Sequence, residues 1–183
     1  MTGITLAQST TNYTTNGTIT PSAATINDGS SNNMTTNYSI TYSTGVLKIN
    51  KATCTAPTGV TISTTGVVTW TNSTNAQSYE ISIDNSTYAS AANGINYKST
   101  ITAANGNRTV YVRSVCDSTN YNTPSTAASS SVSVFKVTLA TGTGIIATSG
   151  AGNYIKNSTV SIDATVKTGY TWSKWTQTSG GAD

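Results

Sequence analysis

The stretch Thr109-Val110-Tyr111-Val112-Arg113-Ser114-Val115 decides the fold, because its side chains alternate at the two-residue period of a half-buried β-strand. Similar runs, separated by Gly, Asn and Ser turns, lie at 60–62, 67–70, 79–83 and 132–134, and a further apolar residue, Ile101, is assigned to a strand of its own. This spacing predicts a sandwich of six or seven strands between Ala56 and Phe135, without a long helix. The inward positions of the alternation are expected to be Trp70, Ile81, Val110 and Val112.

The composition also favours many short strands. Close to half of the residues are Thr, Ser or Asn, and only 8% are charged, against roughly 25% in ordinary globular domains. Thr fits the exposed face of a sheet, while Asn, Ser and Gly supply turns. The chain contains no histidine and a single glutamate, Glu80. Because acid–base chemistry and metal binding draw mainly on such side chains, we expect no enzyme, no catalytic residue, no metal site and no cofactor.

The charge and hydropathy patterns limit the kinds of partner that can be expected. The net charge is only +3, and the lysines are dispersed without a run that could follow a phosphate backbone, so we expect no nucleic-acid partner. No apolar stretch approaches the roughly 20 residues that span a bilayer, which predicts no transmembrane segment. The first residues lack the charged start and apolar centre of a secretory signal. An export signal or anchor is therefore expected elsewhere in a longer parent protein.

Turns and strand patterns divide the chain into three predicted β domains, 1–52, 53–136 and 137–183. In the first, the alternating run Asn37-Tyr38-Ser39-Ile40-Thr41-Tyr42 is followed by Ser43-Thr44-Gly45 and then by Val46-Leu47-Lys48-Ile49. This pattern predicts a hairpin. It resembles the closing hairpin of small β repeats in large secreted bacterial surface proteins, the group that includes the mucin-binding glycine-rich modules.

The second segment resembles a fibronectin type III domain of the bacterial secreted kind over nearly its whole length. The resemblance rests on Pro57, on Thr69-Trp70, on Ala76-x-x-Tyr79 and on the run at 109–115. It implies an immunoglobulin-like sandwich. Arg108 stands where the family often places a Tyr at the start of the penultimate strand, so the corner hydrogen bond of that Tyr is not expected in its usual form.

The third segment resembles the front part of an internalin-type B repeat, a β-grasp-like module. The motifs are Thr141-Gly142-Thr143-Gly144, then the runs at 149–154 and 158–164, and last Thr168-Gly169-Tyr170-Thr171-Trp172-Ser173-Lys174-Trp175. The family unit needs further strands after its Trp-x-x-Trp, whereas this chain stops at Asp183. We therefore expect a partial module, either excised or split. Together the three resemblances imply an all-β chain of tandem small domains.

The two cysteines are Cys54, just before the first sandwich strand, and Cys116, at the end of the penultimate one. In a fibronectin-type topology these ends lie at the same pole, so the resemblance implies a Cys54–Cys116 disulfide. Such a bridge would contribute on the order of 4 kcal/mol and would indicate an oxidising compartment. Two unrelated thiols are the alternative.

Two further groups have competing interpretations. Tyr170, Trp172 and Trp175 form either a thin core, with Tyr170 and Trp172 on one face of a strand, or an aromatic platform for a ligand such as a sugar. Asp84-Asn85-Ser86 is interpreted as a turn rather than a calcium loop, because calcium needs six to eight converging oxygens.

The sequence therefore predicts a structural spacer of a secreted or surface-anchored bacterial adhesin-like protein, located outside the cell and flanked by neighbouring modules of the same parent. One alternative is a module that binds a host glycan or protein. Another is an appendage domain of a phage virion, where the same kinds of repeat also serve.

Overall fold

The fold is all-β. The computed structural model describes Met1 and residues 3–178, and 48% of the residues lie in strands against 4% in helices. The strands are β1 (Gly3–Gln8), β2 (Thr14–Thr25), β3 (Gly45–Ile49), β4 (Ala52–Thr53), β5 (Thr58–Ile62), β6 (Val67–Thr71), β7 (Ala76–Ser82), β8 (Ala89–Ala91), β9 (Ile95–Asn96), β10 (Gly106–Cys116), β11 (Tyr121–Asn122), β12 (Ala128–Val137), β13 (Ile145–Ser149), β14 (Gly152–Ile155) and β15 (Asp163–Val166).

The described part contains two helices, a 3₁₀ turn at Thr35–Asn37 and α1 at Lys98–Ile101. Neither is long or apolar enough to cross a membrane.

The chain forms two compact units. The first unit comprises Met1–Ala56, Asn72–Tyr79 and Arg113–Thr126, and the second comprises Pro57–Thr71, Glu80–Val112 and the chain from Ala127 onward. The three domains predicted from sequence, with limits at 52/53 and 136/137, stay a prediction.

A three-stranded sheet in the order β1-β2-β3 begins the first unit, with antiparallel pairing throughout. The hairpin predicted at 38–49 is wrong, since residues 38–44 form no strand and β3 pairs with β2 instead. The physical reason is that the 12-residue β2 offers a long edge to β3. The 38–44 segment contacts β2 through the side chain of Tyr42, whose hydroxyl accepts a hydrogen bond from the Ala24 amide over 2.8 Å.

Most of the best-buried side chains belong to two sheets, one in the order β5-β6-β9 and one in the order β14-β12-β10-β7-β8. In β6, Val68 and Trp70 are buried while their neighbours are more exposed, and β10 alternates in the same way with Val110 and Val112 fully buried. The predicted inward phase of these two strands is confirmed.

Two details of this region differ from the sequence expectation. Ile81 is only half-buried, because it lines a cleft of about 240 Å³ with Tyr97 and Thr100. Ile101 does not lie in a strand but ends α1, where its amide donates to the Tyr97 carbonyl over 3.0 Å. This single helical turn places the Ile101 side chain fully inside the protein.

The segment after Val137 has only short strands. β13 pairs with β15 in an antiparallel ladder, whereas β14 pairs with β12 and so extends the five-stranded sheet at its edge. Asn153 of β14 also donates its side-chain amide to the Thr102 carbonyl over 2.9 Å. The Gly142-Thr143-Gly144 motif forms a turn. The end of the predicted partial module, 179–183, lies outside the described residues.

Candidate functional site

A groove of about 540 Å³ in the second unit is lined by two of the predicted site residues and is here called the tryptophan groove. One wall is residues 138–143 with two positions of β13, and the other is residues 171–178. Eight of its fifteen lining residues are Thr or Ser, and two are the indoles Trp172 and Trp175. Its volume lies within the usual range for small-molecule sites, about 300–1,000 Å³.

The two indoles meet edge to face. Their ring centroids lie 4.9 Å apart and their planes make an angle of 62°. This is a favourable arrangement for two aromatic rings. Trp172 is 44% exposed and Trp175 is half-buried. The pair therefore presents aromatic surface to the groove instead of filling a core.

The expectation that Tyr170 and Trp172 share one face of a strand as thin core is wrong. Residues 170–178 form no strand, and Tyr170 is 53% exposed. The physical reason is that no neighbouring strand pairs with this segment within the described residues. Its start is fixed instead by a turn, in which the Tyr170 amide donates to the Lys167 carbonyl over 3.1 Å.

Tyr170 occupies a different position from the two tryptophans and packs on Gly144. Its ring covers Gly144, so that a Cβ on that glycine would collide with the ring. Gly144 is buried and has φ +86°, a conformation that glycine adopts without steric cost. Tyr170 does not line the groove. It anchors the 171–178 wall, while Trp172 and Trp175 supply the aromatic surface.

The lining is almost uncharged. Lys174 is its one charged side chain among the described residues, and no carboxylate lines it. Hydroxyl groups both donate and accept hydrogen bonds, and the indole N–H donates only. The groove thus combines aromatic faces with many neutral hydrogen-bonding groups.

The second feature predicted from sequence is the disulfide, and it is confirmed. Cys54 and Cys116 are bonded, with their Cα atoms 5.8 Å apart, inside the usual range of 4.4–6.8 Å. Both residues are only 2% exposed. The bond closes a loop with a sequence separation of 62 residues.

Further contacts surround the disulfide within the first unit. β4 pairs in parallel with β11, and the Ala52 amide donates to the Asn120 carbonyl over 2.8 Å. The Lys51 ammonium group donates a hydrogen bond to the Ser118 carbonyl over 2.5 Å. The connector at 51–54 is therefore held by backbone pairing, a side-chain hydrogen bond and a covalent bond. We call residues 51–54 and 116–122 the clamp.

The N-terminal sheet reaches the clamp through Tyr13. Its amide donates to the Asn120 side-chain oxygen over 2.9 Å, and the Lys51 ammonium lies 5.1 Å from the centre of its ring. The sequence did not reveal Tyr13, Lys51 or Asn120 as functional positions. No signal in the sequence distinguishes them, because Tyr, Lys and Asn recur along the whole chain and these contacts join residues 67 and 107 positions apart.

Asp84 belongs to a turn, as predicted. Its side chain accepts hydrogen bonds from the Ser82 hydroxyl and from the amides of Ser86 and Thr87, all within 2.8 Å. These bonds, with that of Ser82 the largest cause, hold the pKa of Asp84 well below its usual value. In the described part of the chain, no three His, Cys, Asp or Glu side chains converge in a way that could hold a metal ion.

No family model, curated protein or solved structure matches this chain.

Proposed function

We propose that the chain is a structural spacer of a secreted or surface-anchored bacterial protein, and that the clamp stiffens the junction between its N-terminal sheet and the domain that follows. The observation that carries this proposal is the clamp itself. A connector of four residues contains β4, which pairs with β11, and it ends in a buried disulfide. A connector held in this way has less freedom than an unpaired flexible linker, and this supports a role in stiffening the junction.

The strand order supports the resemblance to a fibronectin type III domain. The two sheets are β5-β6-β9 and β14-β12-β10-β7-β8. Without the edge strand β14, which comes from the segment after Val137, seven strands remain, and this number and two-sheet division are those expected of such a sandwich. Arg108 supports it in a second way. Its Nε donates to the Ile101 carbonyl over 3.3 Å. The start of the penultimate strand is thus bonded to the preceding corner, as it is through the family's Tyr.

The disulfide and the surface chemistry support the proposal. Buried structural disulfides persist mainly in oxidising, extracytoplasmic environments. The surface is rich in hydroxyl and amide groups and poor in charge, so it gains solubility without attracting polyions. The proposal assigns no reaction to this chain, since the groups that usually carry acid–base or nucleophilic chemistry are scarce in it.

The proposal can be tested by ¹⁵N relaxation on the oxidised chain. Amides of β1–β3 and amides of residues 113–126 should share one rotational correlation time. In a Cys54→Ala/Cys116→Ala variant, the β1–β3 amides should gain additional fast motion. Thr71→Ala, an exposed change on β6, is the matched control and should leave the relaxation unchanged. Independent tumbling of β1–β3 in the native oxidised chain would refute the stiff junction.

A further inference from the structure

We infer that the tryptophan groove is a carbohydrate-binding site for a neutral polysaccharide or oligosaccharide. This goes beyond the spacer function, which needs no ligand. The inference starts from exposure. A large aromatic side chain usually contributes its surface to a core, but Trp172 keeps 44% of its surface exposed next to a groove.

The chemistry of the lining selects the class of ligand. Sugars present apolar C–H faces and many hydroxyl groups. Indole surface is complementary to the first, and the Thr and Ser hydroxyls, which both donate and accept, are complementary to the second. Eight hydroxyl-bearing residues around two indoles provide both kinds of contact in one groove.

The charge of the lining disfavours the other ligands that stack on aromatic rings. Single-stranded nucleic acid needs a positively charged groove that follows its backbone, and this lining offers only Lys174. A cationic ligand would meet that lysine without any carboxylate among the described lining residues. A neutral saccharide carries neither penalty.

The architecture gives the site a defined shape. Tyr170 on Gly144 and the turn bond from Tyr170 to Lys167 fix the start of the aromatic wall. The edge-to-face contact holds the two indoles together. These contacts restrict the indoles before binding, and a pre-ordered site loses less conformational entropy when it binds, which favours affinity.

The test is affinity electrophoresis of the intact chain in gels that contain a soluble β-glucan, galactomannan, dextran, alginate or no polysaccharide, followed by calorimetry on any probe that retards it. We expect retardation by at least one neutral probe. Trp172→Ala and Trp175→Ala should each weaken that binding by roughly 30-fold, the size typical of an aromatic residue that dominates an interface. Tyr38→Ala removes an aromatic ring that is 58% exposed outside the groove, and it should bind as the native chain does.

A second measurement needs no variant and therefore does not depend on variant folding. In the native chain, the indole N–H signals of Trp172 and Trp175 should shift when the neutral probe is added, while that of Trp70, which is 5% exposed, should stay in place. The inference is overturned if no neutral probe binds, or if the shifts appear elsewhere. It is also overturned if only alginate, the anionic probe, binds and Lys174→Gln abolishes that binding, because the groove would then be an anion site.

Discussion

Removal of the Cys54–Cys116 bond should destabilise the protein more than any surface substitution. The perturbation is made in two ways, by reduction of the native chain and by the Cys54→Ala/Cys116→Ala variant. In the chain-entropy description, a cross-link between residues 62 positions apart restricts the unfolded chain by about 4 kcal/mol at 25 °C. In a domain of 60–100 residues each kcal/mol shifts the melting temperature by about 4–8 °C, so the expected loss is about 15–30 °C.

Calorimetry with and without a reductant provides the assay. The reduced native chain keeps both sulfur atoms, so its loss reports mainly the cross-link, whereas the double variant also loses buried volume and should melt slightly lower. Thr71→Ala, an exposed change on β6, serves as the surface control and should stay within about 0.5 kcal/mol of the native chain. If the reduced chain melts within two or three degrees of the oxidised one, the bond does not constrain the unfolded state and the reasoning about the clamp fails.

Three further predictions concern the core, the groove and the acid response. Val110→Ala removes fully buried methyl groups and should cost about 2–3 kcal/mol, measured by urea unfolding. Gly144→Ala places a Cβ against the Tyr170 ring at φ +86°; it should cost at least about 1–2 kcal/mol and also weaken binding at the tryptophan groove. The folded-state pKa of Asp84 lies below its ordinary value of 3.8, so its stabilising effect is present above that value and is lost as the pH falls through the folded pKa. The melting temperature should therefore fall below about pH 4, and Asp84→Asn, which keeps an acceptor oxygen, should reduce that fall; an equal fall in both proteins would contradict the assignment.

Strand patterns with one buried face could be predicted from the sequence. β6 and β10 alternate because their even-numbered side chains face the interior, and this pattern is visible in the residues themselves. The disulfide was implied by the resemblance to a fibronectin type III domain, because that topology places both cysteines at one end of the sandwich. These features depend on local periodicity or on a known topology.

Pairing between distant strands could not be predicted in the same way. β3 pairs with β2 and not with the residues just before it. β14 pairs with β12 and not with its sequence neighbours β13 and β15. Short Thr-rich strands carry little apolar pattern that would specify one partner over another. Ile101 was assigned to a strand because a single buried Ile has no period, and four residues of helix carry no pattern of their own.

The candidate site was predicted only in part. The aromatic residues were visible in the sequence, but their roles were not, because the choice between core and platform depends on whether a neighbouring strand covers them. In the structure, Tyr170 packs on Gly144, whereas Trp172 and Trp175 line the groove. The opposite wall at 138–143 was not predicted, since its Thr residues resemble those of every other loop.

The spacer account is tested most directly by stretching single molecules from their two ends. A spacer must resist extension, so the oxidised chain should unfold at distinct force peaks. The 62-residue separation closed by the disulfide should stay hidden until the bond is reduced, and reduction should then add about 200–220 Å of contour length, at about 3.3–3.6 Å per residue. Extension of the oxidised chain without a force peak, or equal contour lengths before and after reduction, would contradict the account.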